Sequence, residues 1–155
     1  MTTTVLIHGL MQEVRIVRLN PAVPLPRYET AGAAGFDLAS AADLTIAPGD
    51  IALIPTGLVI EVPAGHFLGV FARSSTPLKR GLIVANGVGV VDSDYCGPAD
   101  EIKIQVLNVT THPVEVKRGD RIAQGVLIPY VRADWREEQS TDRPTRGGFG
   151  ATDTT

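Results

Sequence analysis

Apolar and polar positions alternate along most of this chain, and nowhere does a helical period persist over three turns. From Val14 the sequence reads VRIVRL, the pattern of a half-buried strand. Asp43 to Pro63, DLTIAPGDIALIPTGLVIEVP, predicts three short strands broken at Pro48-Gly49 and Pro55-Thr56-Gly57. GHFLGVFA over Gly65 to Ala72 predicts another, and EIKIQVLNV over Glu101 to Val109 alternates cleanly. His112-Pro113 turns that strand, and VEVKRGDRIAQGVLIPYV predicts a hairpin across Arg118-Gly119-Asp120. In GLIVANGVGVVDSDYCG, Gly81 to Gly97, two β-branched runs flank Asn86-Gly87. Both turn residues tolerate positive φ, so the dipeptide predicts a tight hairpin that pairs the two runs.

Three stretches break the alternation. Asn20 to Thr30, NPAVPLPRYET, is extended and irregular, because each proline fixes φ and removes a donor. AGAAGFDLAS follows, its small residues permitting close backbone approach; taken alone, Asp37 reads as the solvent-facing member of an alternating strand. RSSTPLKRG, Arg73 to Gly81, predicts one helical turn with Thr76 as N-cap, Pro77 at the first helical position and Gly81 at C′. The free N–H groups there, with two hydroxyls and a guanidinium, suit an anion.

Composition narrows the class. With 155 residues the chain makes one domain, and 5% aromatic content means an aliphatic core. Its 16 glycines and 11 prolines favour many short strands. A net charge of −3 argues against nucleic acid and anionic membrane as partners, and no apolar run reaches membrane-spanning length. The single cysteine, Cys96, excludes an internal disulfide and reads as a bystander thiol in a reducing, cytoplasmic setting. MTTTVLIHGLM lacks a basic leader, so no secretion signal is expected.

Candidate chemistry gathers on Asn86, Asp92 and Tyr95: an amide for a base edge, a carboxylate for a water or hydroxyl, and a ring for a sugar. Trp135 is expected to pack against the body. The tail from Gln139 is too polar and glycine-rich for a core, yet carries Arg146 and Phe149, which suggests a segment that orders over a ligand.

Five stretches, AGAAGFDLAS, ARSSTPLKRGL, NGVGVVDSDYCG, RGDRIAQ and RGGFGATD, occur in this order. Together they resemble the five motifs of the trimeric dUTP nucleotidohydrolases, over about Val14 to Thr152. The resemblance implies an all-β, distorted jelly-roll β-barrel over 14–138, assembled as a homotrimer. A mobile C-terminal tail over 139–155 and an N-terminal extension over 1–13 would flank it. It implies hydrolysis of dUTP to dUMP and pyrophosphate. Asp92 would deprotonate the attacking water, and Tyr95 would pack on the deoxyribose and exclude a 2′-hydroxyl. Asn86 and the nearby hairpin backbone, including Val91, would pair with uracil. Arg73, Ser74 and Ser75 would bind the phosphates, and Gln124 would contact the same region. Asp37 would organise water around a Mg²⁺ ion carried by the triphosphate, with no direct protein ligand. Arg146 and Phe149 would close over the γ-phosphate and the base.

The chain departs from the family pattern in three places: Ser75 stands where glycine is usual, Cys96 to Glu101 lengthens a junction, and Pro144 takes the usual place of the tail arginine. Arg143 and Arg146 flank that proline, and Arg146 is preferred. Two other functions compete. A dCTP deaminase would need a carboxylate where EIKIQV offers Gln105, an amide that cannot move protons. A non-enzymatic nucleotide-sensing trimer would not need Asp37, Asp92 and Gln124 together.

Overall fold

A computed structural model describes residues 11–149. Most of the expected extension over 1–13, and residues 150–155 at the end of the tail, lie outside that range. The expected strands form where turn chemistry punctuates the apolar runs. They are β1 (Arg15–Arg18), β2 (Phe36–Ala39), β3 (Leu44–Ile46), β4 (Ile51–Pro55), β5 (Leu58–Glu61) and β6 (His66–Ala72), then β7 (Leu82–Val84), β8 (Gly89–Val91), β9 (Lys103–Asn108), β10 (Val114–Val116) and β11 (Arg121–Pro129). They pair antiparallel as β1-β5, β3-β10, β4-β9-β7 and β2-β11-β6-β8. The fold is all-β and jelly-roll-like, with loops crossing from sheet to sheet.

One apolar core fills the space between the sheets. Leu38, Ile54, Leu68, Leu82, Ile104, Val106 and Ile122 are wholly buried in it, and Phe36 is its aromatic member. Alternation decides which side each residue takes: Phe36 and Leu38 are buried while Asp37 between them faces outward.

Two expected hairpins are not hairpins. Gly87 adopts φ 73° and its N–H donates to the Val84 carbonyl at 3.0 Å, so the turn at Asn86-Gly87 forms. The runs on either side part company, however: β7 pairs with β9 and β8 pairs with β6. At Arg118-Gly119-Asp120 the chain also turns, but β10 joins β3 while β11 joins β2 and β6. The physical reason is the same in both cases. A turn fixes where the chain reverses; burial of Leu82 and Val84, or of Val114 and Val116, fixes which sheet each run enters. Trp135 does not pack against the body either: it is 90% exposed on a segment with no strand partner.

The helical turn spans Thr76–Arg80, with Ser75, not Thr76, in the cap position. Thr76 is buried, and its hydroxyl donates to the Ile122 carbonyl at 2.8 Å. Gly81 ends the turn at φ 64°, and a Cβ there would run into the Thr110 methyl.

Asn108, at the end of β9, is wholly buried and fully used. Its amide donates to the Ile46 and His112 carbonyls, both at 2.9 Å, while its oxygen accepts from the Thr110 N–H and hydroxyl. Asn108→Ala orphans these groups in the interior, and is expected to lower stability by about 2–3 kcal/mol. Urea midpoints at fixed chain concentration check this; a loss under about 0.5 kcal/mol would show that water replaces the amide.

Candidate active site

The four-stranded sheet carries the polar residues at one end. Asp37 on β2 lies opposite Gln124 on β11, and Gln124 lies opposite Phe71 on β6. Directly opposed residues share a face, so Asp37 and Gln124 project side by side. Gly35 makes room for this: a Cβ there would stand 2.8 Å from the Gln124 Oε1. The Gln124 amide donates to the Ala72 carbonyl at 3.0 Å, next to Arg73.

Asp37 sits between two guanidinium groups. Arg73 Nε donates to its Oδ1 at 2.7 Å, and Arg121 Nη1 to its Oδ2 at 2.9 Å. Arg73 also reaches the Arg121 carbonyl through Nη1 at 3.5 Å. Among the described residues nothing accepts from the Arg73 Nη2, and no protein group takes the Ser74 or Ser75 hydroxyl. One carboxylate thus fixes Arg73 from behind while its outer edge and two hydroxyls stay available to an anion. Arg121, absent from the residues singled out by sequence, completes the cluster. Its place inside RGDRIAQ, beside Arg118 in a local cluster of basic residues, is the signal that points to it.

A third ion pair stands behind this end. Arg80 Nη1 donates to Asp120 Oδ2 at 2.8 Å, and the Lys117 N–H donates to the same oxygen at 2.9 Å. The hydrogen bond from Arg80 holds the Asp120 carboxyl below its ordinary 3.8, against a smaller opposing effect of burial.

The residues expected to receive base and sugar lie elsewhere. Val91 ends β8 opposite Leu68, so Asp92 follows at the level of Phe67 on β6. Asp37, through Gln124, stands level with Phe71. The separation is therefore about 13 Å along the strands and about 14 Å across three strand spacings, roughly 20 Å in all. Asp92 is exposed, as is Asn86 on the preceding turn. The Tyr95 ring is half exposed, its hydroxyl donating to the Glu101 carbonyl at 3.2 Å. The longer junction after it is held twice: within itself, Asp100 Oδ2 accepts the Gly97 N–H at 2.7 Å, and Glu101 Oε1 accepts the N–H of Gly57, between β4 and β5, at 2.7 Å. Arg146 and Phe149 stay apart from both groups; from Val131 to Phe149 every residue is exposed. No three His, Cys, Asp or Glu side chains converge as a metal cage among the described residues.

One chain thus presents candidate groups at separate points of one sheet: a guanidinium-and-hydroxyl cluster suited to an anion, Asn86 on the turn before β8, and the carboxylate and phenol of Asp92 and Tyr95 after β8. Such groups suit a polar, phosphorylated ligand, and they stand on a jelly-roll-like scaffold. The sequence pattern of the dUTPase family matches residues 22–155. The deoxyuridine 5′-triphosphate nucleotidohydrolase of Desulfitobacterium hafniense (strain DSM 10664 / DCB-2) is 47% identical over 150 residues, covering 94% of this chain and 97% of its own. The crystal structure of dUTPase from Streptococcus mutans is 38% identical, with a TM-score of 0.73 over 80% of this chain and 100% of that one. Staphylococcus bacteriophage 80alpha dUTPase with dUPNHPP shares the fold at 19% identity, with a TM-score of 0.80 over 90% of this chain and 98% of that one. The chain belongs to the dUTPase family.

The Asp120 shift sets a pH dependence. A carboxyl whose folded pKa lies below its unfolded value of 3.8 contributes stability that is complete above that value and lost as pH falls through the folded pKa. The stability gap between wild type and Asp120→Asn is therefore expected to hold constant from pH 7 to 5 and to shrink below pH 3.8. Denaturant midpoints of both proteins at pH 7, 5 and 3 check this; a gap that grows in acid would reverse the sign.

Proposed function

We propose that this protein hydrolyses dUTP to dUMP and pyrophosphate, in active sites assembled between copies of the chain. The observation that carries the reading is the pair of separated half-sites. Asp92 stands roughly 20 Å from the anion cluster, too far for both to act on one triphosphate of a single chain. A second copy supplies the other half. We take the assembly to be a trimer, as the family resemblance implies. The face of the β4-β9-β7 sheet supports association: Ile51, Leu53 and Ile83 are exposed there, and Ile51 and Ile83 both oppose Leu107.

Each residue then has a task its chemistry suits. The free edge of Arg73, with the Ser74 and Ser75 hydroxyls, holds the phosphates, and Gln124 keeps the backbone behind Arg73 in place. Ser75, where glycine is usual, leaves the backbone in the ordinary right-handed region at φ −83°, so the loop bears its side chain without strain. Asn86 and the backbone near Val91 pair with uracil. Tyr95, its hydroxyl tied back, turns its ring to the deoxyribose and leaves no space for a 2′-hydroxyl. Asp92, exposed and with no ion-pair partner among the described residues, takes the proton of the attacking water. Arg146 and Phe149 come over the occupied site from the exposed tail.

Asp37 fits a Mg²⁺ ion brought by the nucleotide. Two guanidiniums already take its oxygens, so it suits water-bridged contact better than direct ligation. When bound, the ion neutralises charge developing on the phosphates. The reading places the enzyme in the cytoplasm; among the described residues no helix is long and apolar enough to cross a membrane.

Pyrophosphate release from dUTP, against dCTP, dTTP and UTP, tests the activity directly. Asp92→Asn keeps the shape of the site but loses the base, so turnover is expected to fall about 10²–10⁴-fold while nucleotide binding persists. Turnover within a factor of two of wild type would take Asp92 out of the role. Assembly in trans has its own test. Arg73→Ala and Asp92→Asn chains, each inactive alone, are expected to regain activity when co-assembled, because some sites then join an intact anion cluster to an intact Asp92. Mixed oligomers as inactive as their parents would place both half-sites within one chain.

A further inference from the structure

Two backbone segments carry the anion cluster, and they come from distant parts of the chain. Arg73, Ser74 and Ser75 precede the helical turn; Arg121 and Gln124 lie on β11. Arg73 and Gln124 tie the start of this segment to β11, through the Arg121 and Ala72 carbonyls, but they do not reach the helical turn that follows. Two contacts behind them do. Near the cap, the buried Thr76 hydroxyl donates to the Ile122 carbonyl, while the Thr76 N–H donates to the Arg73 carbonyl at 3.1 Å. At the far end of the turn, Arg80 reaches Asp120, one residue before Arg121. Asp120 is itself pinned: its carboxylate accepts the Lys117 N–H, and its carbonyl accepts the Ser40 N–H at 2.9 Å. Ser40 stands three residues after Asp37 and is buried, its own carbonyl accepting the Gly119 N–H at 2.8 Å.

We infer that Arg80 and Asp120 are positioning residues for the triphosphate half of the site, clamping the Arg73-Ser74-Ser75 segment to the strand that carries Arg121 and Gln124. Neither side chain is among those expected to touch substrate, and their contact joins elements 40 residues apart. The pair is about two-thirds shielded from water, with side-chain exposures of 31% and 27%, so salt screens it less than a surface pair. Without it the turn keeps its Thr76 anchor and stays folded, but its basic end is free to swing. Arg73 keeps its hold on Asp37, but the Ser74-Ser75 backbone next to the loosened turn must then be ordered by the nucleotide, at a cost in affinity. The loss falls equally on substrate and transition state, so it appears in KM and leaves kcat in place.

This inference rests on the reading of that end as the triphosphate site, and its test separates the two. Arg80→Met, Asp120→Asn, the double variant and Arg80→Lys are made in the full chain. Amide hydrogen exchange without nucleotide is expected to quicken over residues 73–81 in both single variants and the double, with the β4-β9-β7 sheet unchanged. KM for dUTP is expected to rise about fivefold to tenfold with kcat within about twofold, and dUMP, which lacks the β- and γ-phosphates, to bind as before. The double variant is expected to match the worse single one, and Arg80→Lys to recover part of the loss. Unchanged exchange over 73–81, additive effects of the two substitutions, or an equal loss for dUMP and dUTP would overturn the clamp. Should Arg80→Met not fold, Asp120→Asn and Arg80→Lys carry the same comparisons. A wild-type protein that releases no pyrophosphate from dUTP refutes the hydrolase reading alone, because the exchange comparison still decides the clamp.

Discussion

Strand β11 must be paired on both edges at once, and the rest of the molecule follows from that constraint. Its nine residues hydrogen-bond to β6 over seven registered pairs and to β2 over four, with an irregularity between Arg121 and Ala123. Buried Ile122 and Ala123 fix which face points inward. A slip of one residue would turn Gln124 into the core and Ala123 toward solvent, removing Gln124 from Asp37. The irregularity re-aims Arg121, so that Arg121 and Gln124 serve the same outward cluster despite their odd spacing. Hydrophobic burial thus sets the register, and the register sets the electrostatics.

The electrostatics in turn explain why the anion end can remain open. Arg73 and Arg121 meet Asp37, and Arg121 also reaches Glu29, which pairs with Arg27, so three guanidiniums against two carboxylates leave a net positive charge that favours an incoming phosphate. The Asp37 carboxylate holds Arg73 in one orientation before the ligand arrives. Preordering of this kind lowers the cost of binding, since a long flexible arginine otherwise loses rotamer freedom on contact. The exposed loop around Asp92 follows a different design. Its polar groups are held by backbone contacts within Ser93 to Glu101, leaving the carboxylate of Asp92 outward.

What the sequence made legible was local. Pro48-Gly49 and Pro55-Thr56-Gly57 mark real strand ends, because proline and glycine restrict the backbone regardless of distant contacts. Gly81 was likewise readable as a left-handed helix end. Pairing was not legible. The turn at Asn86-Gly87 formed, yet its flanking runs entered different sheets, a choice made by burial on both sides and not by the turn. Thr76 looked like a cap from its place before proline, but its hydroxyl is used 46 residues away on Ile122, and Ser75 stands at the cap. Asp37 looked solvent-facing for the same reason: the partner that redefines it, Arg121, is 84 residues distant.

That difference in range bears on how the site residues were found at all. Asp92, Arg73 and Gln124 are legible because their motifs occur in a known order, whereas within one chain Asp92 stands apart from the end that Arg73 and Gln124 share. Read from one copy alone, the geometry would suggest an anion site and an unrelated polar loop. The exposed apolar face of Ile51, Leu53 and Ile83 supports the proposed assembly, since such a stripe costs free energy in water until another surface covers it. In the proposed assembly, the association that buries it would also bring each Asp92 loop to a neighbour. On that proposal the distance between the two groups within a chain would be a requirement of the assembly: a loop that reached its own anion cluster would leave nothing for the neighbour to complete.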